Sequence, residues 1–247
     1  MSSEIQVPVT DNTGIYQPGK IRLLFNTMSR TYERVNYITS FGFSSRWRRQ
    51  FIRRVNPSAG KVKIIDLMTG MGETWPVILK HFPAAELTAL DFSPGMLRFA
   101  RQKNHKKYND AVQITEQDML HNELPSAHFD YVFCAFGLKT FSKAQLQQLA
   151  AEVKRILKVN GQFSFIEVSV PRGGFLKLLY TWYLKRLIPV LGRMLLGNPA
   201  EYKMLAVYTS KFKDARHVCK IFADAGLTVK YDSYFNGCAS GIHGIKQ

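Results

Sequence analysis

Three carboxylates stand where short apolar runs end, at a spacing that can hold a nucleoside. The first run, VKIIDL (62–67), leads into Asp66-Leu67-Met68-Thr69-Gly70-Met71-Gly72-Glu73. Glycines at 70 and 72 let the backbone approach a ligand at the end of a strand, and a helix can begin just beyond. Asp91 closes a second run, ELTALDF (86–92), about 20 residues after the glycines, where a carboxylate can accept both hydroxyls of an adenosine ribose. A third run, VQITEQD (112–118), brings Asp118 and Met119, a polar and a soft apolar group suited to flank an adenine. A nicotinamide cofactor uses the same spacing, but with G-x-G-x-x-G; here Gly70-x-Gly72 continues as Glu-Thr-Trp. Asp66 reads better as an organiser of its own loop than as a direct ligand.

Holding these groups side by side calls for a parallel sheet, and the chain alternates accordingly. After the three runs come strands at FDYVFCAF (129–136) and GQFSFIEVS (161–169), separated by the helix QLQQLAAEVKRIL (145–157), with Gly161 supplying the turn. Ser93 and Pro94, a good N-cap and a good first helical residue, start the helix after Asp91. A helix at ARHVCKIFADAG (215–226), then TVKYDSYF (228–235) and GIHGIK (241–246), closes the chain with a hairpin-like pair that puts one antiparallel strand into the sheet.

The glycine loop, Asp91-x-Ser93-x-Gly95-Met96-Leu97, Asp118 and the Phe129-Asp130-Tyr131-Val132 strand together resemble class I S-adenosylmethionine-dependent methyltransferases. More narrowly, the chain is similar over nearly its whole length to the ubiquinone/menaquinone biosynthesis C-methyltransferase family. That family's N-terminal pattern Y-D-x-M-N-x-x-x-S-x-G-x-H-x-x-W is met by Tyr32, Asn36, Ser40, Gly42 and Trp47, with Glu33 for Asp and Val35 for Met. Its R-V-L-K-P-G-G…E-x-S stretch is matched by Arg155-Ile156-Leu157-Lys158, Gly161, Glu167 and Ser169; Leu191-Gly192-Arg193, Gly237 and His243 are similar too. Two departures bear on the acceptor: Ser44 stands where the family has His, and Lys139-Thr140 where it usually reads Arg-Asn.

The resemblance implies an α/β, Rossmann-like, seven-stranded and mainly parallel sheet with helices on both faces and one antiparallel strand near the C-terminus. It implies S-adenosyl-L-methionine as cofactor and transfer of its methyl group to carbon on a hydrophobic quinol or phenol. With the spacing above, it assigns Tyr32, Thr69, Gly70, Met71, Gly72, Asp91, Phe92, Asp118, Met119 and Ala135 to the cofactor. Trp47, Phe136 and Phe175 fall to the acceptor, Lys139 and His243 to catalysis, and no metal is expected. Lys139 would stabilise a phenolate as a point charge. Bland readings compete: Lys139 as a solvated loop lysine, His243 as a hydrogen-bonded strand histidine, Trp47 as core, Glu167 as a buttress of the sheet.

Composition bounds the rest. At 247 residues, with 46% hydrophobic and 21% charged residues, one domain is expected: a polar tail at 1–20, a helical cap at 20–55 and an inserted helical lid at 172–205. The cysteines, Cys134, Cys219 and Cys238, are odd in number and show no CxxC pair, so reduced thiols in a cytoplasmic setting are expected, and no secretory signal is visible. The net charge of +16 is uneven, with no acid between Glu33 and Asp66 or between Glu167 and Glu201. In the second of these runs Phe175, Leu176, Leu179, Trp182, Tyr183, Leu187 and Ile188 recur at helical spacing among Lys177, Lys185 and Arg186. Charges this frequent argue against a membrane span, and favour a basic amphipathic element through which a hydrophobic aromatic acceptor arrives from the inner face of an anionic membrane, with a plain core helix or a dimer interface as the alternative. A homodimer is compatible with the sequence, and nucleic acid is not an expected partner because the basic runs lack a stacking platform. Methylation of a specialised metabolite at O, N or C is the alternative activity.

Overall fold

The computed structural model describes residues 14–29, 42–58, 60–174, 178 and 199–247. Tyr32, Phe175 and most of the 172–205 segment lie outside the described residues.

Seven strands form one sheet: β1 (Val62–Leu67), β2 (Ala85–Asp91), β3 (Gln113–Glu116), β4 (Phe129–Ala135), β5 (Leu157–Val168), β6 (Thr228–Tyr234) and β7 (Ala239–Ile245). Their order is β3-β2-β1-β4-β5-β7-β6. Strands β1 to β5 pair in parallel, and β7 runs antiparallel to both β5 and β6. The chain order reverses between β1 and β4, the switch point whose carboxyl edge opens a crevice in sheets of this kind. Because β6 runs the same way as β1–β5, the turn after it, Phe235–Gly237, also reaches that edge.

The described helices are α1 (Pro18–Met28), α2 (Phe43–Ile52), α3 (Trp75–His81), α4 (Pro94–Tyr108), α5 (Lys143–Ile156), α6 (Pro199–Phe212) and α7 (Arg216–Asp224). Local chemistry explains where they start. Ser93 caps α4 by accepting from the Met96 N–H at 3.2 Å, with Pro94 in the first turn. Ser142 and Gln145 form a reciprocal capping box at the head of α5. On α7, Val218, Ile221 and Phe222 are buried, and Phe222 sits 5.5 Å from both Phe163 and Phe165 of β5. Truncating Phe222 to Ala should cost about 3–5 kcal/mol. One core thus lies between the sheet and α5/α7, and a second, containing Trp47, Phe51, Ile64 and Trp75, lies on the opposite face under α2, α3 and α4.

One expected boundary moves. Strand β5 starts at Leu157, directly after α5, and pairs with Phe129 before a register shift; regular pairing resumes at Gln162. Asn160, with φ of 62°, takes the left-handed turn that the sequence assigned to Gly161. Described structure also begins before the helical cap expected from residue 20, since α1 starts at Pro18 inside the supposed tail.

Candidate active site

A cleft opens at the carboxyl edge of β1–β4. Its floor comes from the strand ends: Met68, Thr69, Gly70 and Glu73 after β1, Asp91 and Phe92 at β2, Asp118 and Met119 after β3, and Ala135, Phe136 and Gly137 after β4. Helix α1 contributes Pro18, Ile21 and Phe25, α2 contributes Arg48, and α5 contributes Gln145. Met68 and Phe136, both non-glycine residues at positive φ (53° and 67°), form the rims after β1 and β4. Such backbone persists only where its surroundings over-determine it, and it concentrates at sites of function.

The loop after β1 is fixed by a relay of polar contacts. The Trp75 indole donates to Thr69 Oγ1 at 2.7 Å, and that hydroxyl donates to Asp66 Oδ2 at 2.6 Å. Gly72 has φ of 74°, and a Cβ there would lie 2.6 Å from the Trp75 ring, so only glycine fits. Gly72 therefore serves packing and is not among the residues lining the cleft, nor is Met71, which packs with Met28 and Met96. Gly70 donates its N–H to Asp91 Oδ2 at 2.8 Å, and Ser93 N–H donates to Asp91 Oδ1 at 2.8 Å. Each Asp91 oxygen keeps a second acceptor position. Asp91 thus ties the β1 loop to the β2 loop as well as facing the cleft.

Helix α1 is docked over this edge by one side chain. Asn26 Oδ1 accepts from Ser93 Oγ at 2.7 Å and from Gly95 N–H at 2.9 Å. A Cβ on Gly95 would come within 2.9 Å of the Asn26 backbone, so a glycine is required for this close approach. Upstream, Tyr208 of α6 donates to the Ile15 carbonyl at 2.6 Å and Gln145 donates to the Tyr16 carbonyl at 3.2 Å, drawing the stretch before α1 against the cleft.

Charge distinguishes the two halves of the cleft. Asp66, Asp91 and Glu73 crowd the glycine loop. Burial pushes Asp66 up to about 7, against the pull of its Thr69 hydrogen bond, and pushes Asp91 up to about 6 despite its backbone donors. Asp66 Oδ1 and Glu73 Oε1 have no hydrogen-bond partner among the described residues. A ring of incompletely satisfied carboxylates suits a ligand that carries positive charge, and a ribose beside it suits Asp91. This donor set fits S-adenosylmethionine, which joins adenosine to a sulfonium and an ammonium. The wall after β4 is aromatic by contrast, with Phe136 and Phe141 beside Thr140, Met68 of the β1 loop next to it, and the Arg48 guanidinium 5.1 Å from the Phe136 ring centroid.

The expected catalytic residues are placed elsewhere. Lys139 is 6% exposed and does not line the cleft. Its Nζ donates to Glu167 Oε1 at 2.8 Å and to the Phe136 carbonyl at 2.9 Å, and its N–H donates to Glu167 Oε2 at 3.1 Å. It is neither a solvated loop lysine nor turned toward an acceptor; it anchors the loop from behind, and Glu167 is the expected buttress. His243 pairs with Ser164 in mid-strand, four residues or about 13 Å below the carboxyl edge, and its Nδ1 lies 2.6 Å from Asp232. That distance removes it from the cleft and favours the structural reading. Trp47 is buried among core residues and Ser44 is 6% exposed; neither lines the cleft. Thr69, Gly70, Asp91, Phe92, Asp118, Met119, Ala135 and Phe136 are brought together.

Sequence reading passes over Arg48, Glu73 and Asn26 as site residues. Arg48 is hidden in a basic run with Arg46 and Arg49, although its place next to Trp47 on an amphipathic helix is a signal. Glu73 ends the glycine loop and is in plain view. Asn26 has no sequence signal, because its partners lie 67 and 69 positions away.

A sequence model of the ubiE/COQ5 methyltransferase family matches residues 15–246. The chain is 32% identical over 220 residues to a demethylmenaquinone methyltransferase of Thermus thermophilus, covering 89% of this chain and 98% of that protein. Among solved structures, its fold is similar to a SAM-dependent methyltransferase from Aquifex aeolicus, with TM-score 0.57 and 19% identity over 81% of this chain and 89% of the other. It is also similar to Haemonchus contortus phosphoethanolamine N-methyltransferase 2 bound to S-adenosylhomocysteine, with TM-score 0.61 and 14% identity over 90% and 60% of the two chains.

Proposed function

This chain belongs to the ubiE/COQ5 methyltransferase family, and from that premise we propose that it methylates a ring carbon of a hydrophobic quinol of the demethylmenaquinol type. The observation that carries the reading is one cleft with two unlike halves: a glycine loop flanked by Glu73 and Asp91 for a cationic nucleoside, and an aromatic wall of Phe136 and Phe141 for a ring. The relative from Thermus thermophilus, similar over nearly its full length, carries the name demethylmenaquinone methyltransferase.

S-adenosylmethionine supplies a methyl group already activated on a sulfonium. The chain's own work is therefore orientation and shielding from water. Asp91 accepts the ribose hydroxyls, Phe92, Asp118 and Met119 flank the adenine, and Thr69 and Gly70 face the methionine part. Phe136, Phe141 and Met68 hold the acceptor ring against that loop, and the Lys139–Glu167 pair sets the position of the Phe136 backbone from behind. Among the described residues, Thr140 and Gln145 are the uncharged polar groups on the acceptor side. Neither is a base. Neither Ser44 nor Lys139 lines the cleft, and Lys139 meets it only through the Phe136 carbonyl, which favours a quinol over a specialised metabolite; Thr140 does line it and tunes fit.

A lipid surface is the source of such an acceptor. Phe235 is 52% exposed with φ of 43°, and its ring lies 4.5 Å from that of Phe43, at the same edge as the cleft. Arg46 and Arg49 stand exposed on the helix that carries Phe43. An aromatic tip flanked by cations suits the anionic interface of a membrane. Among the described residues no helix is long and apolar enough to cross one.

The test is incubation with methyl-deuterated S-adenosylmethionine and either reduced demethylmenaquinone in anionic vesicles or a soluble naphthol. Mass spectrometry should find the label on a ring carbon of the long-tailed quinol. Label on oxygen or nitrogen, or a preference for the soluble phenol, would overturn the reading.

A further inference from the structure

Arg48 and Glu73 both line the cleft, with side chains only 10% and 9% exposed. Their closest approach, Nη2 to Oε1, is 3.9 Å, outside hydrogen-bond reach. Arg48 Nε and Glu73 Oε1 each have no hydrogen-bond partner among the described residues. Both groups are nonetheless held in place: the guanidinium lies over the Phe136 ring, 5.1 Å from its centroid, and Glu73 Oε2 accepts from the Met71 N–H at 3.3 Å. Buried charges left apart and half-satisfied are costly. The gap is explained if a ligand bridges it with one group of each sign.

We propose that Arg48 and Glu73 are a split clamp for an α-amino acid zwitterion, Arg48 taking the carboxylate and Glu73 the ammonium, and that the zwitterion is the methionine end of S-adenosylmethionine; this rests on the reading of the cleft as the cofactor site. The chemistry matches on both sides. A guanidinium presents a planar fork that fits a carboxylate bidentately. Glu73 sits over the glycine loop, where a Cβ on Gly70 would lie 3.4 Å from its Oε2, next to the buried Asp66 Oδ1 that also has no partner among the described residues. Ammonium binding there places a positive charge against Glu73 and within the electrostatic reach of Asp66, whose carboxyl Glu73 already influences. The oxyanion of an ionised acceptor could also seek Arg48, but that role leaves Glu73 Oε1 without a partner.

Calorimetric titration separates the cases with three ligands: S-adenosylhomocysteine, its decarboxylated analogue, and 5′-methylthioadenosine, which lacks the whole amino acid end. On the wild-type protein, affinity should fall about tenfold or more on loss of the carboxylate and again on loss of the ammonium. Arg48→Gln should weaken S-adenosylhomocysteine by about the same factor, leaving the decarboxylated analogue and methylthioadenosine within about threefold. Glu73→Gln should penalise both ammonium-bearing ligands and spare methylthioadenosine. If Arg48→Gln does not fold, Arg48→Lys and the wild-type ligand series decide. Equal wild-type affinity for S-adenosylhomocysteine and its decarboxylated analogue overturns the clamp. So does an Arg48→Gln protein that binds S-adenosylhomocysteine normally but loses acceptor turnover, which would assign Arg48 to the acceptor. A wild-type protein that binds none of the three nucleosides overturns the cofactor reading as well, and so is told apart.

Discussion

Lys139 meets Glu167 at 2.8 Å, and four hydrogen bonds close around the pair, two of them from backbone N–H groups and one to a backbone carbonyl. Arg48 and Glu73, buried nearly as deeply, stop at 3.9 Å with a donor and an acceptor left over. The first pair lies behind the cleft wall and the second lines the cleft. Fully satisfied buried charge holds a loop in one conformation, whereas charge left short at a cavity is kept for a ligand. The comparison also explains why the lysine expected to act on the acceptor does not: its charge is already spent on the fold.

The largest expected effect is on the tight pair. Glu167→Ala strands the Lys139 ammonium in the interior and should destabilise the protein by about 3–5 kcal/mol in urea denaturation. The double change Lys139→Met with Glu167→Leu should recover most of that loss. If Glu167→Ala unfolds at the wild-type midpoint, the pair is not structural.

Next comes Asp91, which ties the β1 and β2 loops and is proposed to hold the ribose. Asp91→Ala removes the ribose acceptor together with the tie to Gly70, and should cost about 2–4 kcal/mol of S-adenosylhomocysteine affinity by calorimetry. Unchanged affinity would remove Asp91 from the site.

The carboxylate ring predicts a smaller, pH-dependent effect. Burial raises Asp66 from 3.8 to about 7 and Asp91 from 3.8 to about 6, so the ligand-free folded state binds more protons than the unfolded chain across that window. Their contribution to stability is therefore greatest below pH 4 and declines as pH rises to about 7. A cationic ligand favours the ionised carboxylates, so affinity for S-adenosylmethionine should tighten from pH 5 to pH 8, with proton release on binding. Titrations in buffers of different ionisation enthalpy read that release directly. Affinity that weakens with rising pH would contradict the arrangement.

The smallest effect is expected at His243. With its ring beside Asp232 and far below the cleft edge, His243→Gln should leave turnover within about twofold, since no proton transfer at the reacting atoms passes through it. A loss of about a hundredfold, the size that removal of a general acid or base produces, would restore it as catalytic.

How much was legible in the sequence follows the same division. The carboxylate-ended strands, the glycine loop and the Ser93-Pro94 helix start are local, and each landed within a residue or two of its observed position. Asp91, Asp118 and Phe136 could be placed in the cleft because strand ends in a parallel sheet share an edge. What distinguishes Lys139 from Arg48 is long-range. Lys139 is claimed by a residue 28 positions away on β5, and Arg48 reaches the loop after β1 only because α2 packs across it. No periodicity records either contact. His243 is pointed to by the family resemblance, with a hydrogen-bonded strand histidine as the competing reading, and its register on β7 puts it at the wrong height for the cleft.

The most direct test is thermal melting with and without saturating S-adenosylhomocysteine on the wild type, Lys139→Met and Arg48→Gln. The account predicts that Lys139→Met melts roughly 10 °C lower without ligand but keeps most of its ligand-induced rise. Arg48→Gln should melt near the wild type without ligand and lose much of that rise, the mark of weakened binding. The reverse pattern, with Arg48→Gln destabilised and still fully responsive to ligand, would contradict the division between a pair that holds the fold and a pair that holds the cofactor.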